Sequence, residues 1–419
     1  MNKVFMNHAS LDGDIIIKRT PASSGGGTGG NGGSDVEVII PERPKWTGHA
    51  DAAGLKAIGW TDEDIAYYQE NGVNWNEEDD ANHKVSDANK ALYGVLKLED
   101  IVDYAEEDYG KDIVYLPKID TSNETDLSYA FEDCRYLVAI PMLDTSNVKT
   151  MAYMFSSCRK LTCVPLLDTR KVTSMYGMFD DCESIVTIPM FNTSMVNNMN
   201  SMFNACDSLV TIPLIDTSRT ERTNDMFKGC KSLVTIPPLN TSNVEAMQSM
   251  FEGCEALITV PLLDTGKVTY MSYMFKGCYS LKSVPLFNTS KIYSLGDMFY
   301  NCYSLESVPL LDTKTAAVVG SMFYHCYALS SIPPLYKGET QTFSLCYNLK
   351  TAMVSNINKT IYLDGSYHLS KESLLFMINN EAATSAILIK LSSPVYNRYI
   401  GDADVLAALE KHPNISLSK

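Results

Sequence analysis

The chain has 419 residues, with 50 acidic against 34 basic side chains and a formal net charge of −16. That balance argues against nucleic acid as a partner, because phosphate binding needs clustered Lys and Arg. The length leaves room for two or three domains. No stretch approaches the roughly 18 apolar residues that would suggest a membrane-spanning helix, so no membrane insertion is expected.

Residues 1–20 form a short arm, "MNKVFMNHASLDGDIIIKRT". It has no long apolar core followed by a small-residue cleavage site, so it does not read as a signal peptide. It is too short to fold alone, but the β-branched run in "DGDIIIKR" suits it to adding a strand to another protein's sheet. A docking arm into a larger protein assembly is the functional reading, and a disordered tail is the other. Residues 21–34, "PASSGGGTGGNGGS", read as a flexible Gly/Ser linker.

Residues 35–112 read as a small, acidic, mainly helical domain. Thr61 and Asp64 are placed to cap a helix running to Asn71-Gly72, where glycine ends it. Ser86 precedes a second helical stretch, and 98–109 is a third. Trp46, Trp60 and Trp75, all the tryptophans of the chain, furnish its core. Residues 60–112 hold 16 Asp and Glu against four Lys, which reads as a solvated surface. Asn74, Asn76, Glu78 and Asp80 offer the oxygen ligands calcium prefers, yet they lack the glycine and terminal glutamate of an EF-hand loop. The domain is expected to cover the open end of the repeat array on its C-terminal side.

From 113 to 350 the chain repeats itself every 24 residues. Cysteines fall at 134, 158, 182, 206, 230, 254, 278, 302 and 326, each preceded at three residues by a phenylalanine. One coil reads P-x-[LIF]-[DN]-T-x-x-V-x-x-M-x-x-M-F-x-x-C-x-x-L-x-x-[IV]. A period of this length is the mark of a solenoid, whose units bury their apolar faces only against their neighbours. Phe155, Cys158, Phe179, Cys182, Phe203, Cys206, Phe227, Cys230, Phe251, Cys254, Phe275 and Cys278 are its expected structural core. Met247, Met250, Phe251 and Cys254 sit at i, i+3, i+4 and i+7, which predicts about two helical turns. Leu257 and Val260 bracket a strand ending or bending at Pro261, and Asp264-Thr265 reads as a turn. Asn192, Asn240 and Asn288 take the Asp place in that turn and are read as turn residues, although each opens an Asn-x-Ser/Thr sequence. Ten coils at roughly 4.8 Å each make an array roughly 45–50 Å long. Ten of the 11 cysteines belong to the repeat, counting Cys346 in a shortened last coil; only Cys163 falls outside. Free, buried thiols packing as small hydrophobes are expected, with disulfides disfavoured because stacked side chains point the same way. Zinc has no Cys-x-x-Cys pair to hold it, and no metal or cofactor is expected.

The coil Met-Phe-x-x-Cys-x-x-Leu-x-x-[Ile/Val]-Pro, followed by Asp-Thr-Ser-x-Val, resembles the BspA-like leucine-rich repeats of bacterial surface proteins, of the kind found in gut Bacteroidales and their bacteriophages. The resemblance covers about 113–350. It implies an α/β solenoid, a leucine-rich-repeat-like array of ten coils, used as a binding surface and not as a catalyst. Residues 351–419 alternate strand, helix, strand, helix, strand ("TIYLDG", "KESLLFMINNEA", "AILIKL", "DADVLAALEKH", "ISL") and read as a small α/β cap.

Catalysis finds no support: the six histidines are scattered, and there is no nucleophile elbow, P-loop or dinucleotide fingerprint. A ligand would be carried by positions that vary between coils. After each core cysteine come Arg135, Arg159, Glu183, Asp207, Lys231 and Glu255, then Tyr279, Tyr303, Tyr327 and Tyr347. The position after each core phenylalanine ends in Tyr300 and Tyr324. Stacked coils make these a tyrosine ladder, either gripping a ligand or stabilising its own ridge. The expected role is a non-enzymatic binding protein displayed on a virion or cell surface. Its candidate partners are a host surface protein or glycan at the repeats, an assembly at residues 1–20, and a second copy in a homo-oligomer. A structural virion subunit and a bacterial adhesin are the alternatives.

Overall fold

The repeat acts first on the backbone. In the computed structural model, which describes residues 16–19, 36–39, 61–70, 119–337, 342–382 and 385–419, the coils stack in parallel and hydrogen-bond to one another along several seams. Around Phe251 the N–H groups of Met247, Ser249, Phe251 and Gly253 donate to the carbonyls of Tyr270, Ser272, Met274 and Lys276 in the next coil, at 2.7–3.1 Å. The alternate N–H groups of Glu252 and Cys254 instead close four-residue turns onto the carbonyls of Ser249 and Phe251. On another seam Glu245 N–H reaches back to Glu221, and on a third Ala256 and Ile258 reach back to Lys231 and Val234, at 2.9–3.2 Å.

The two helical turns expected in each coil are therefore absent; the segment is a run of tight turns. Ser249 (φ 51°) and Gly253 (φ 74°), on either side of Phe251, adopt left-handed backbone conformations that no helix tolerates, and the same two places are left-handed in the neighbouring coils. The reason is spacing. Packed helices need axes roughly 8–10 Å apart, whereas hydrogen-bonded coils lie about 4.8 Å apart. The apolar pattern i, i+3, i+4, i+7 is satisfied by turns that share their hydrogen bonds with the next coil.

Inside, residues at equal phase form columns, and the phenylalanine and cysteine columns are each of one residue type. The phenylalanine rings stack from Phe131 to Phe343 with centroids 5.5–6.0 Å apart. Phe155, Phe179, Phe203, Phe227, Phe251 and Phe275, and Cys158, Cys182, Cys206, Cys230, Cys254 and Cys278, are fully buried. Each thiol from Cys158 to Cys346 donates to the carbonyl of the preceding coil's phenylalanine, as Cys254 Sγ does to Phe227 O at 3.0 Å. All eleven cysteines are free and buried, Cys163 included. In the turn after the extended segment, Asp264 Oδ1 accepts from Gly266 N, while the buried Thr265 hydroxyl donates to Asn288 O of the next coil at 3.0 Å. Asn192, Asn240 and Asn288 serve the same turn, each accepting the N–H two residues on. The strand does not stop at proline: β3 (Ser331–Leu335), parallel to β4 (Thr351–Val354), runs through Pro333 and Pro334 with a shift of register between Ile332 and Leu335. One coil earlier this pairing is reduced to the single bridge Ser307↔Ser331, and a separate row of single bridges, such as Ala246↔Tyr270, runs beside the Met-x-x-Met-Phe segment.

At the N-terminal side, β1 (Ile16–Arg19) pairs antiparallel with β2 (Val36–Ile39), so the strand expected to seek another protein's sheet has a partner in its own chain. Helix α1 (Asp62–Glu70) is capped by Thr61 and Asp64: Thr61 N and Oγ1 donate to Asp64 Oδ2, and Asp64 N donates to Thr61 Oγ1. The other oxygen of the buried Asp64 accepts Met142 N at 2.8 Å, which ties α1 to the repeats. The expected second and third helices, the three tryptophans, the 74–80 acidic segment, the linker 21–34 and residues 1–15 of the arm lie outside the described residues.

The C-terminal region begins as more repeat. The steps from Cys326 to Cys346 and from Tyr347 to Tyr367 are both 20 residues, and Phe323–Phe343 still stack. Gly365 lies so close beneath this turn that an added Cβ would stand 2.5 Å from Leu345 Cα. Then come β5 (Ile361–Leu363), α2 (Lys371–Asn379), β6 (Ile387–Leu391), α3 (Ser393–Tyr399), α4 (Ala403–Lys411) and β7 (Ile415–Ser418). The three strands form one parallel sheet in the order β5-β6-β7. Helix α3, entered through Pro394, was not expected from the sequence.

This packing can be tested at its thiols and at one glycine. Burial pushes the thiols up, Cys134 (with a contribution from Asp133) and Cys346 to about 12, so they stay protonated at the ordinary thiol pKa of about 8.5. Iodoacetamide near that pH is expected to leave the native chain unmodified and to add eleven labels after urea denaturation, counted by intact mass. Gly365→Ala is expected to cost about 1–3 kcal/mol through overpacking, read as a lower urea midpoint. Gly401→Ala, where an added Cβ meets nothing within 4 Å, serves as the near-neutral control.

Candidate functional site

Residues at equal phase in successive coils fall into columns, so a surface site on this fold is a strip. The position after the core cysteine holds Tyr279, Tyr303, Tyr327 and Tyr347, whose rings stack with centroids 4.8, 4.9 and 5.0 Å apart and planes within 10°. The column continues one step beyond the four positions that the 24-residue pattern picks out: Tyr367 stacks on Tyr347 at 5.7 Å. The signal was present in the second 20-residue step and in the echo of "CYNL" in "SYHL". Beside it runs a second, shorter stack, Tyr300 on Tyr324 at 4.8 Å. His325, left-handed at φ 61°, links the two, 4.1 Å from the Tyr324 ring and 5.5 Å from Tyr327. Its Nδ1 lies 2.9 Å from Asn301 Oδ1, and burial lowers its pKa, so the ring is neutral near pH 7.

This arrangement limits what the column can grip. Each inner ring has a tyrosine on both faces, and only Tyr279 and Tyr367 keep a face not taken by another tyrosine. A sugar stacking flat on an aromatic face finds no room between rings 4.8–5.0 Å apart. What the column offers is a row of ring edges and phenol hydroxyls at a regular interval. Burial and the adjacent tyrosines raise the pKa of Tyr303 and Tyr327, which keeps those hydroxyls protonated and able to donate.

Toward the N-terminal side the same two columns turn from aromatic to charged. Lys231 meets Asp207 at 2.6 Å and Arg159 meets Asp181 at 2.9 Å. Glu252 sits between Lys228 (3.4 Å) and Lys276 (3.2 Å). Burial works against its charge, but the Ser249 hydroxyl and the two lysines hold its carboxyl below the ordinary value. Lys276 Nζ also lies 5.1 Å from the Tyr273 ring and 5.8 Å from Tyr300, joining the charged ladder to the tyrosines. These surface pairs contribute little to stability, typically about 0–1 kcal/mol each. Their effect is to neutralise charge along the ridge. Among the described residues no group of His, Cys, Asp and Glu is arranged to hold a metal, and no helix is long and apolar enough to cross a membrane. The calcium candidate at Asn74, Asn76, Glu78 and Asp80 lies outside the described residues.

Among solved structures the chain is similar to a leucine-rich-repeat protein of T. pallidum (22% identity, 44% of this chain and 78% of that one, TM-score 0.30). It is also similar to a leucine-rich cell surface protein of Faecalibacterium prausnitzii (20%, 60% and 81%, TM-score 0.31) and a leucine-rich-repeat protein of Eubacterium ventriosum (15%, 62% and 82%, TM-score 0.35). Likenesses this partial say nothing of what the chain binds. No curated protein matches it. A family model matches residues 125–236, 164–260 and 224–334, together 125–334, or 210 of the 419 residues. The chain belongs to that family, described as "Mycoplasma protein of unknown function, DUF285".

Proposed function

We propose that this chain is a non-enzymatic attachment protein whose repeats recognise a partner on a host-cell surface through the tyrosine columns. The observation that carries this reading is the uninterrupted run from Tyr279 to Tyr367, flanked by Tyr300, Tyr324 and His325. Aromatic side chains with a polar tip are over-represented where proteins are gripped. Because the inner ring faces are filled, hydroxyls and ring edges do the recognising, and this favours a protein receptor over a glycan. The ten coils then act as a rigid ruler, the C-terminal α/β unit as their cap, and the arm 1–20 as the tether to a larger assembly. A bacteriophage fibre or tail is the setting that best combines a tethered arm with a surface-type repeat.

The test uses the full-length protein, fluorescently labelled, on a panel of gut bacterial strains. The control is the triple variant Tyr303→Phe/Tyr327→Phe/Tyr347→Phe, which keeps the stack and removes three hydroxyls. Saturable binding to some strains is expected, weakened at least about tenfold in the variant, since each lost hydrogen bond costs about 0.5–1.5 kcal/mol, with an unchanged urea midpoint. Binding to no strain, or binding indifferent to the variant, overturns the reading and leaves a structural subunit of an assembly in its place.

A further inference from the structure

A second strip runs along the array on a different column, and the binding role above does not use it. The residue after each coil's proline is Leu166, Met190, Leu214, Leu262, Leu286 or Leu310, and these six are 53–69% exposed. In the two intervening or terminal rungs the same place is taken by Pro238 and Pro334, also exposed. The preceding prolines, half-buried from Pro189 onward, widen the strip to two apolar residues per coil. From Leu166 to Leu310 this makes a continuous band about 30 Å long at about 4.8 Å per coil, and contiguous exposed apolar surface of that extent marks an interaction site. Among the described residues only the first rung is covered: Met142 is half-buried, and its N–H donates to Asp64 of α1.

The spacing of the rungs selects the occupant. An α-helix laid along the band advances about 5.4 Å per turn and slips out of step by about 0.6 Å per rung. A strand presents same-face side chains about 6.6 Å apart and matches still less well. A second copy of this array has the same period and stays in register over the whole length. We propose that the Pro–Leu band is a homodimer interface, two arrays packed face to face.

The flanks select the orientation. Two residues beyond the rungs stand the carboxylates Asp168, Asp216, Asp264 and Asp312, alternating with Asn192, Asn240 and Asn288, and each accepts the turn N–H two residues further on. Arg170, on the same turn, holds the Asp168 carboxyl at about 2, and Ser218 lowers that of Asp216. On the other side, three residues before the four rungs from Met190 to Leu262, stand the half-buried hydroxyls of Thr187, Thr211, Thr235 and Thr259. Antiparallel arrays overlapping along the whole band, centred on Pro238, would set Asp216 against Asp264 of the other copy, and like charges opposed at an interface are destabilising. With the two-fold axis along the array, the copies run parallel, and Asp216 and Asp264 face Thr211 and Thr259 of the other copy. Each rung then meets its own counterpart.

Sedimentation velocity on the full-length chain tests the interface. A dimer is expected at tens of micromolar, and Leu214→Glu/Leu262→Glu should raise the dimer dissociation constant at least about a hundredfold. Circular dichroism should not change, nor should the urea midpoint at a dilution where both proteins are monomeric, since both side chains are exposed. Leu166→Cys and Leu310→Cys, each oxidised alone with copper-phenanthroline in air, test the orientation; each should give a disulfide-linked dimer by itself. A wild-type monomer, or a dimer that survives the double glutamate variant, overturns the interface. Cross-linking only when the two cysteine variants are mixed overturns the parallel arrangement. The strip is separate from the tyrosine columns, so loss of dimerisation with cell binding intact, or the reverse, shows which of the two readings fails.

Discussion

The structure depends on one constraint: each coil hydrogen-bonds directly to the next through its own backbone. When Phe251 N donates to Met274 O and Gly253 N to Lys276 O, neighbouring coils are held at strand spacing, and everything at the same phase is brought equally close. A helix cannot fit in that interval, so the segment turns tightly and places residues such as Ser249 in left-handed backbone. Conformations of that kind cost about 1–3 kcal/mol each and persist where the surrounding structure over-determines them. Here the next coil supplies that structure. An isolated coil would have neither the carbonyls nor the buried neighbours, which is why the fold exists only as an array.

The same constraint explains the repeated residues. Phenylalanine fits because flat rings stack when the interval is short, and threonine fits because its hydroxyl can cross to the next coil's carbonyl, as Thr265 does to Asn288. Cysteine does more than fill volume. Its thiol reaches the preceding phenylalanine carbonyl, which already accepts the N–H of the cysteine in its own coil. Ser366 occupies the corresponding place one step past Cys346, and its buried hydroxyl has no partner. The longer Cβ–S bond is one physical reason why the column is built of cysteine.

On the surface, the interval turns single residues into strips and limits what those strips can do. Tyrosines repeated at one phase spend their faces on each other and leave hydroxyls and edges outward. Leucines repeated at the position after proline leave a band too regular for a helix or strand to follow. At Lys228, Glu252 and Lys276 the charges alternate in sign from coil to coil, so that neighbours at this spacing attract.

Much of this was legible in the chain itself. The 24-residue period, the Phe and Cys columns, the Asp-Thr turn, the Thr61–Asp64 cap and the strand–helix alternation after residue 360 are set by local spacing, and local spacing is written in sequence. The helix expected in each coil was not found, since i, i+3, i+4 apolar spacing suits consecutive turns as well as a helix; only the distance to the next coil decides between them. The exposed band was equally hidden: "Pro-Leu-Leu" reads as core, and whether Leu262 or Leu263 faces inward depends on how the extended segment passes its proline. Tyr367 joins its column across a step of 20 residues, and Asp64 finds Met142 across 78. Sequence alone therefore determined which residues repeat and at what interval, because those are properties of neighbours along the chain. The tertiary structure decided which groups meet between coils and which remain uncovered, because those depend on a stacking distance that no single coil contains.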